Sequence, residues 1–222
     1  MTMSPKILLQ PVEHLLQRLG SSSRGQRVIV GLVGLPGSGK STLAKSLQAS
    51  VNASLDAQRM LSIGMDGFHL TKKQLAELPN PQKAFARRGA PWTFDPAGLA
   101  QRLQMLRASP LAAVDWPGFE HDVGDPVQAA LHIGPNIQLV LIEGLYLLHE
   151  ADGWNVSSLL DECWFLDVPL PLAMQRLQAR HMAAWGMSAE QAQARIKVND
   201  EINAVLVQTH RQRAHWLVSD IP

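Results

Sequence analysis

Gly34-Leu35-Pro36-Gly37-Ser38-Gly39-Lys40-Ser41 reads G-x-x-x-x-G-K-S, the spacing of a loop built to cradle phosphates. Its glycines let the backbone turn tightly, so that successive N–H groups face one anion. Lys40 is expected to reach the outer phosphates of a nucleoside triphosphate, and the Ser41 hydroxyl to bind Mg2+. Pro36 shapes the turn but has no N–H to donate. The expected nucleotide-binding set is Gly34, Pro36, Gly37, Ser38, Gly39, Lys40, Ser41 and Thr42.

What happens to the phosphate depends on acidic and basic residues further along. Phosphoryl transfer needs an attacking oxygen in line, a held metal and cations over the transferring group. Asp66, in Met65-Asp66-Gly67-Phe68-His69, is a carboxylate able to take the proton of an acceptor hydroxyl or to touch Mg2+ through water. Asp-Gly is also a common turn pair. His69 reads equally as a substrate contact or a hydrogen-bonded structural histidine. Glu143 ends the apolar run Leu139 to Ile142, where a charge needs a partner or an ion, and its expected role is to organise Mg2+ water. Arg176 and Arg180 lie four apart on one face of a helix. One of them could close over the triphosphate. Arg87-Arg88 would hold an anionic group or simply keep a loop wet. Trp116, within Trp116 to Asp122, suits a substrate-facing loop.

Positioning these groups requires a particular framework. Arg27 to Val33 reads as a buried central strand entering the loop, and Thr42 to Gln48 as the helix leaving it. Ile7 to Leu19 carries apolar residues at helical spacing and is expected to be a helix docked on the core, ended by Gly20 and Ser21 to Ser23. This segment, residues 1–24, is read apart from a phosphate-loop domain over 25–222. Further strands are expected at 61–65, 112–115, 138–142, 163–168 and 216–218, with helices over 95–107, 170–184 and 188–209. Alternating apolar strands and helices imply an α/β fold, a mostly parallel sheet covered on both faces. Ligands on such sheets gather beyond the carboxyl ends of the strands, which would put the loop, Asp66, Asp115 and Glu143 on one side.

Composition narrows the class. The 222 residues carry 20 Lys plus Arg against 19 Asp plus Glu, so there is no electrostatic case for nucleic acid. Hydrophobic residues make up 46%, which argues against global disorder. The single cysteine, Cys163, excludes an internal disulfide framework and reads as a core residue. No apolar stretch is long enough to span a membrane, and no signal peptide is evident. The expected setting is cytoplasmic. A GTPase would share the phosphate loop, but its Asn-Lys-x-Asp segment is missing; Lys197-Val198-Asn199-Asp200 has the wrong order. A non-catalytic, nucleotide-controlled interaction protein is the other alternative, which the intact Lys40, Ser41, Asp66 and Glu143 oppose.

Gly34 to Ser41, Met65 to His69, Arg87-Arg88-Gly89-Ala90-Pro91, Ile142-Glu143-Gly144 and Asp167-Val168-Pro169, in that order, resemble the phosphoribulokinase, uridine kinase and bacterial pantothenate kinase superfamily. The chain is most similar to its fructokinase-like group, the fructose transport system kinases. The resemblance implies a P-loop nucleotide-kinase fold with a small lid, and ATP- and Mg2+-dependent phosphorylation of a hydroxyl on a small metabolite. It implies Asp66 as the carboxylate near that hydroxyl, Glu143 as the metal-side acid and Arg180 as the lid cation. It also implies that the Arg87-Arg88 loop shapes the acceptor pocket and that His121 belongs to a substrate loop. Phe119 and Glu120 replace the tyrosine and serine that precede such a histidine in pantothenate kinases. Asn199, Asp200 and Asn203 resemble a C-terminal signature, read as a base contact or a structural cap. Homodimerisation is an expectation from the resemblance alone.

Overall fold

The structure, a computed structural model, describes residues 4–23, 25–108, 112–120 and 123–219. Among them a six-stranded, wholly parallel sheet runs in the order β1-β8-β7-β2-β6-β3, where β1 is Lys6–Ile7, β2 Val28–Gly34, β3 Met60–Gly64, β6 Leu139–Gly144, β7 Glu162–Leu166 and β8 Trp216–Val218. β4 (Val114–Glu120) and β5 (Asp125–Ile133) form a separate antiparallel pair. The strands that centre the sheet carry the least polar sequence. β2 is Val-Ile-Val-Gly-Leu-Val-Gly and is buried throughout, as a strand covered on both faces must be.

Helices flank this sheet. α1 spans Pro11–Ser21, α2 Lys40–Leu55, α3 Lys72–Ala76, α4 Pro81–Ala86, α5 Pro96–Ala108, α6 Leu170–Trp185, α7 Ala189–Arg195 and α8 Glu201–Thr209. Leu43, Leu47 and Val51 line the buried face of α2, and Leu99, Leu103 and Leu106 that of α5. Each such burial is worth roughly 1.5–3 kcal/mol before chain entropy is charged against it.

Three sequence expectations need correction. The segment Ile7-Leu8-Leu9 is not helical. Lys6 and Ile7 pair in parallel with Trp216 and Leu217 at the sheet edge, and the helix starts only at Pro11. Pro11 fits the first turn, where its missing N–H costs nothing. α1 then docks through Leu15, which is fully buried, and through His14, whose Nε2 lies 2.8 Å from Glu162 Oε1. Second, Trp116 to Glu120 is not an irregular loop but part of β4. Pro117 interrupts the alternation that would have marked it, and the register slips between Trp116 and Gly118. Third, Asp115 lies in this hairpin and not in the main sheet; it is exposed and contacts His132 Nδ1 at 2.9 Å.

The helical stretch expected over 188–209 is continuous but not uniform. A π-helical turn, Ile196–Asp200, joins α7 to α8. Such turns absorb one extra residue and shift which side chains face inward.

Candidate active site

Because β2, β3 and β6 are parallel, their carboxyl ends open on one edge. Pairing sets Glu143 opposite Leu32 on one side and Gly64 on the other. The phosphate loop leaves β2 at this edge, and Asp66 begins a short 3-10 turn, Asp66–Phe68, just after β3. Three segments far apart in the chain therefore deliver their functional groups together.

The loop has the conformation its glycines permit. Gly37 and Gly39 take φ of 78° and 93°, a region that other residues enter only with strain. Gly39 starts α2 with no side chain capping the helix, which leaves first-turn N–H groups to be met by an anion. Ser38 is completely buried, and its Oγ has no hydrogen-bond partner among the described residues. A buried, unsatisfied hydroxyl beside free helix-end amides fits a bound phosphate. Lys40 Nζ donates to the Leu35 carbonyl at 3.0 Å, so the ammonium lies folded into its own loop.

Ser41 Oγ donates to Glu143 Oε1 at 2.7 Å. Burial raises the Glu143 pKa, opposed by Lys40, pushed further up by Asp66 and eased by the Ser41 hydrogen bond and by Arg180. Burial lowers the Lys40 pKa, while Glu143 and Asp66 favour its charged form and Arg180 opposes it. The four expected catalytic residues thus share one electrostatic neighbourhood. Arg180 projects from the exposed side of α6, one turn after Arg176, and its charge is felt at both Lys40 and Glu143. No cluster of three or more His, Cys, Asp or Glu suited to a metal is present among the described residues. Ser41 and Glu143, with Asp66 nearby, fit Mg2+, which binds through few protein oxygens plus water and phosphate.

Around Asp66 lie the residues expected to meet the acceptor. His69 Nδ1 lies 2.9 Å from the Asp66 carbonyl, and its ring packs on Phe94 and Phe119 with centroids 3.9 and 4.8 Å away. The Arg88 guanidinium lies over Phe119, 5.4 Å from the ring centre. Arg88 also donates to the Gly124 carbonyl, to the Leu70 carbonyl at 2.9 Å and to Asp125 Oδ1 at 3.0 Å. Arg87 donates to the Val198 carbonyl at 2.8 Å and to Asn203 Oδ1 at 3.0 Å. Both arginines are held within the protein, in contrast to the free anion-binding pair the sequence left open.

Trp116 also departs from expectation. It has no exposed surface, stacks edge-on against Phe68 and donates Nε1 to the Gly64 carbonyl at 2.9 Å. It fastens the β4–β5 hairpin to the end of β3 and offers nothing to a substrate. His121 lies outside the described residues. Asn199 and Asn203 are buried against the Arg87-Arg88 loop, where Asn199 Nδ2 donates to the Arg88 carbonyl at 3.0 Å.

Sequence reading missed Tyr146. It is buried, and its hydroxyl donates to the Gly89 carbonyl at 2.6 Å. Burial drives its pKa up, and it sits in the fields of Arg87, Asp66 and Asp200. It is the only tyrosine, three residues after Glu143, and that position was the available signal. Asp125, the counter-charge of Arg88, had no such signal because its partner is 37 residues away.

A profile of the Phosphoribulokinase / Uridine kinase family matches residues 29–222. The chain belongs to this family. It is 36% identical over 186 residues to a Schizosaccharomyces pombe protein provisionally named a uridine kinase, covering 82% of this chain and 79% of that one. It is 30% identical, with a TM-score of 0.82, to the crystal structure of a Silicibacter protein provisionally named a fructose transport system kinase, covering 95% of this chain and 99% of that one. YFH7 from Saccharomyces cerevisiae superposes with a TM-score of 0.84 at 20% identity, covering 95% and 97%, which shows the shared fold.

Proposed function

We propose that this protein is an ATP-dependent phosphotransferase that moves the γ-phosphoryl group to a hydroxyl of a small metabolite. The observation that carries the reading is the convergence of Lys40, Ser41, Asp66 and Glu143 at one sheet edge, each acting on the charge of another. Membership of a kinase family supports it.

The residues divide the work. The loop amides, the Ser38 hydroxyl and Lys40 hold the phosphates, and Lys40 gives up its Leu35 carbonyl to do so. Ser41 and Glu143 would hold Mg2+, which supplies charge neutralisation across the phosphates when bound. Asp66 orients the acceptor hydroxyl and takes its proton as the oxygen attacks. Arg180 places positive charge over the transferring group. With Arg88 neutralised by Asp125 and Arg87 turned to α8, the Phe119 wall favours a hydroxyl-bearing acceptor without an anionic group there. Sugars and nucleosides fit that description, and a pantothenate-like compound fits only with its carboxylate turned elsewhere. The names of the relatives, uridine kinase and fructose transport system kinase, fall in the same range.

No observation favours the GTPase alternative. Lys197 to Asp200 form the π-helical turn, where Asn199 is committed to the Arg88 carbonyl. The deciding experiment is ATP consumption across sugars, sugar phosphates, nucleosides and pantothenate, with Lys40→Ala as the blank. Acceptor-dependent turnover that the variant lacks supports the reading. GTP hydrolysis that needs no acceptor would replace it.

A further inference from the structure

Two neighbouring residues of the π-helical turn hold opposite sides of the site. Asn199 Nδ2 donates to the Arg88 carbonyl at 3.0 Å, in the loop whose Arg88 covers Phe119. The next residue, Asp200, has Oδ2 3.0 Å from His181 Nε2, and His181 follows Arg180 on α6. We propose that Asn199 and Asp200 are positioning residues that couple the acceptor loop to Arg180, so that one helical turn sets both the acceptor wall and the cation over the phosphoryl group. The proposal rests on the kinase reading for the role of Arg180.

The contacts on each side are dense, and the Asn199, Asn203 and Asp200 hydrogen bonds are part-buried. On the acceptor side, Arg87 donates to the Val198 carbonyl at 2.8 Å and to Asn203 Oδ1 at 3.0 Å, so the loop meets 198, 199 and 203 in one patch. Gly89, at φ 105°, brings its backbone against that patch: a Cβ there would lie 3.7 Å from Asn203 Nδ2 and 3.9 Å from Asn199 Nδ2. Tyr146 holds the far side of the loop through the Gly89 carbonyl. On the Arg180 side, His181 is 3% exposed and stacks on Trp185 at 4.5 Å, while the Arg195 guanidinium lies 4.8 Å over the same ring. His181 and Arg195 therefore flank Trp185 and fix the end of α6 to α7. Asp200 closes this cluster from the π-helical turn.

Physical transmission needs a rigid link between the two sides. Asn199 and Asp200 are adjacent in the chain, so no hinge intervenes between their hydrogen bonds. In a regular helix neighbours point about 100° apart, and the wider π-helical turn resets which of them face inward. Here one reaches the loop and the next reaches α6. A shift of the acceptor loop that drags Asn199 must move Asp200, and with it the rotational setting of α6 at Arg180.

Hydrogen exchange tests the link without requiring catalysis. Asn199→Ala is expected to speed exchange in the 87–91 loop and also across 176–185, and Asp200→Ala to speed it in the same two places. Loosening confined to each residue's own side overturns the coupling. If the β2 peptide 28–34 also loses protection in Asn199→Ala, the fold itself is failing, and the nearly isosteric Asn199→Asp, which removes the same donor, is measured instead. Kinetics give the second arm. Asp200→Ala should lower kcat about tenfold, with the ATP KM within about twofold, and should have little further effect in an Arg180→Ala background, because interacting positions are not additive. Additive losses in the double variant would assign Asp200 a purely structural role. Absence of acceptor-dependent turnover in the wild type would defeat the kinase reading while leaving the exchange result to stand or fall separately.

Discussion

Ser41 Oγ donates to Glu143 Oε1 at 2.7 Å although 102 residues separate them in sequence. The bond ties the end of the phosphate loop to the end of β6. It orients, before any nucleotide arrives, the two oxygens that the proposed function assigns to Mg2+, and preorganised groups need less reorganisation later. The parallel pairing of β2 with β6 makes it possible, since Leu32 sits opposite Glu143.

Glu143→Gln keeps the shape of the side chain and removes its charge. It should lower kcat by about a hundredfold or more, within the range for deleting one preorganised electrostatic group. It should also raise the Mg2+ concentration needed for half-maximal rate. Initial rates against Mg2+ at saturating ATP provide the check. A variant with wild-type rates and metal dependence would remove Glu143 from the metal side.

Asp66→Asn separates acceptor chemistry from nucleotide binding. Loss of a general base costs about 10²–10⁴ in rate. Losing the Asp66 charge withdraws direct support from ionised Lys40 but eases ionisation of Glu143, which also supports it, so the two effects oppose each other at the phosphate cradle. Turnover should collapse while ATP affinity, read by calorimetry with a non-hydrolysable analogue, stays within about threefold. Equal losses in both would make Asp66 a nucleotide ligand instead.

The outcome at Asp66 and Glu143 bears on what a sequence can disclose. Their placement was legible because each lies at or just beyond the end of an apolar strand, and strand ends of a parallel sheet share an edge. The phosphate loop was legible because its function is a backbone shape written in glycines. Trp116 was misread because Pro117 and Gly118 disguise a strand, and burial of the indole depends on a hairpin that neighbouring residues do not encode. Arg87 and Arg88 were ambiguous for a similar reason. Their partners Asn203 and Asp125 are 116 and 37 residues away, and side-chain pairing across such gaps leaves no local pattern. The first strand was lost to its own composition, since Ile7 and Leu9 are apolar yet 65% and 83% exposed, so their spacing mimicked a buried helical face.

His210 gives the fold an acid-side weakness. It is 8% exposed, with Nε2 lying 3.4 Å from His149 Nδ1. Burial lowers its pKa below 6.5, helped by His149 and Arg213 and opposed by Glu150. As pH falls below 6.5, the unfolded chain takes up a proton that the folded one resists. Stability is therefore lost progressively down to the depressed folded value, at about 1.4 kcal/mol per unit of depression. Urea midpoints of the wild type should fall between about pH 7 and about pH 5.5. His210→Asn should flatten that fall. An unchanged slope in the variant would locate the acid sensitivity elsewhere.

Gly67→Ala tests whether the hairpin positions Asp66. Gly67 follows Asp66 in the 3-10 turn, and a Cβ there would collide with the backbone carbonyl of Pro117 in β4. Backbone cannot step aside as a flexible side chain can, so the clash must push the hairpin off the turn or shift the turn itself. Overpacking of this kind costs about 1–3 kcal/mol. Either movement strains the Trp116 hydrogen bond to Gly64 and displaces the Asp66 carboxylate from its place beyond β3. The expected result is a lower urea midpoint together with a fall in kcat that exceeds any change in ATP affinity. Trp116 reports the structural half directly, through a fluorescence shift as its indole loses the Gly64 carbonyl, read most cleanly against a Trp116→Phe control. A variant that is destabilised but turns over normally would show that Asp66 is held by β3 alone.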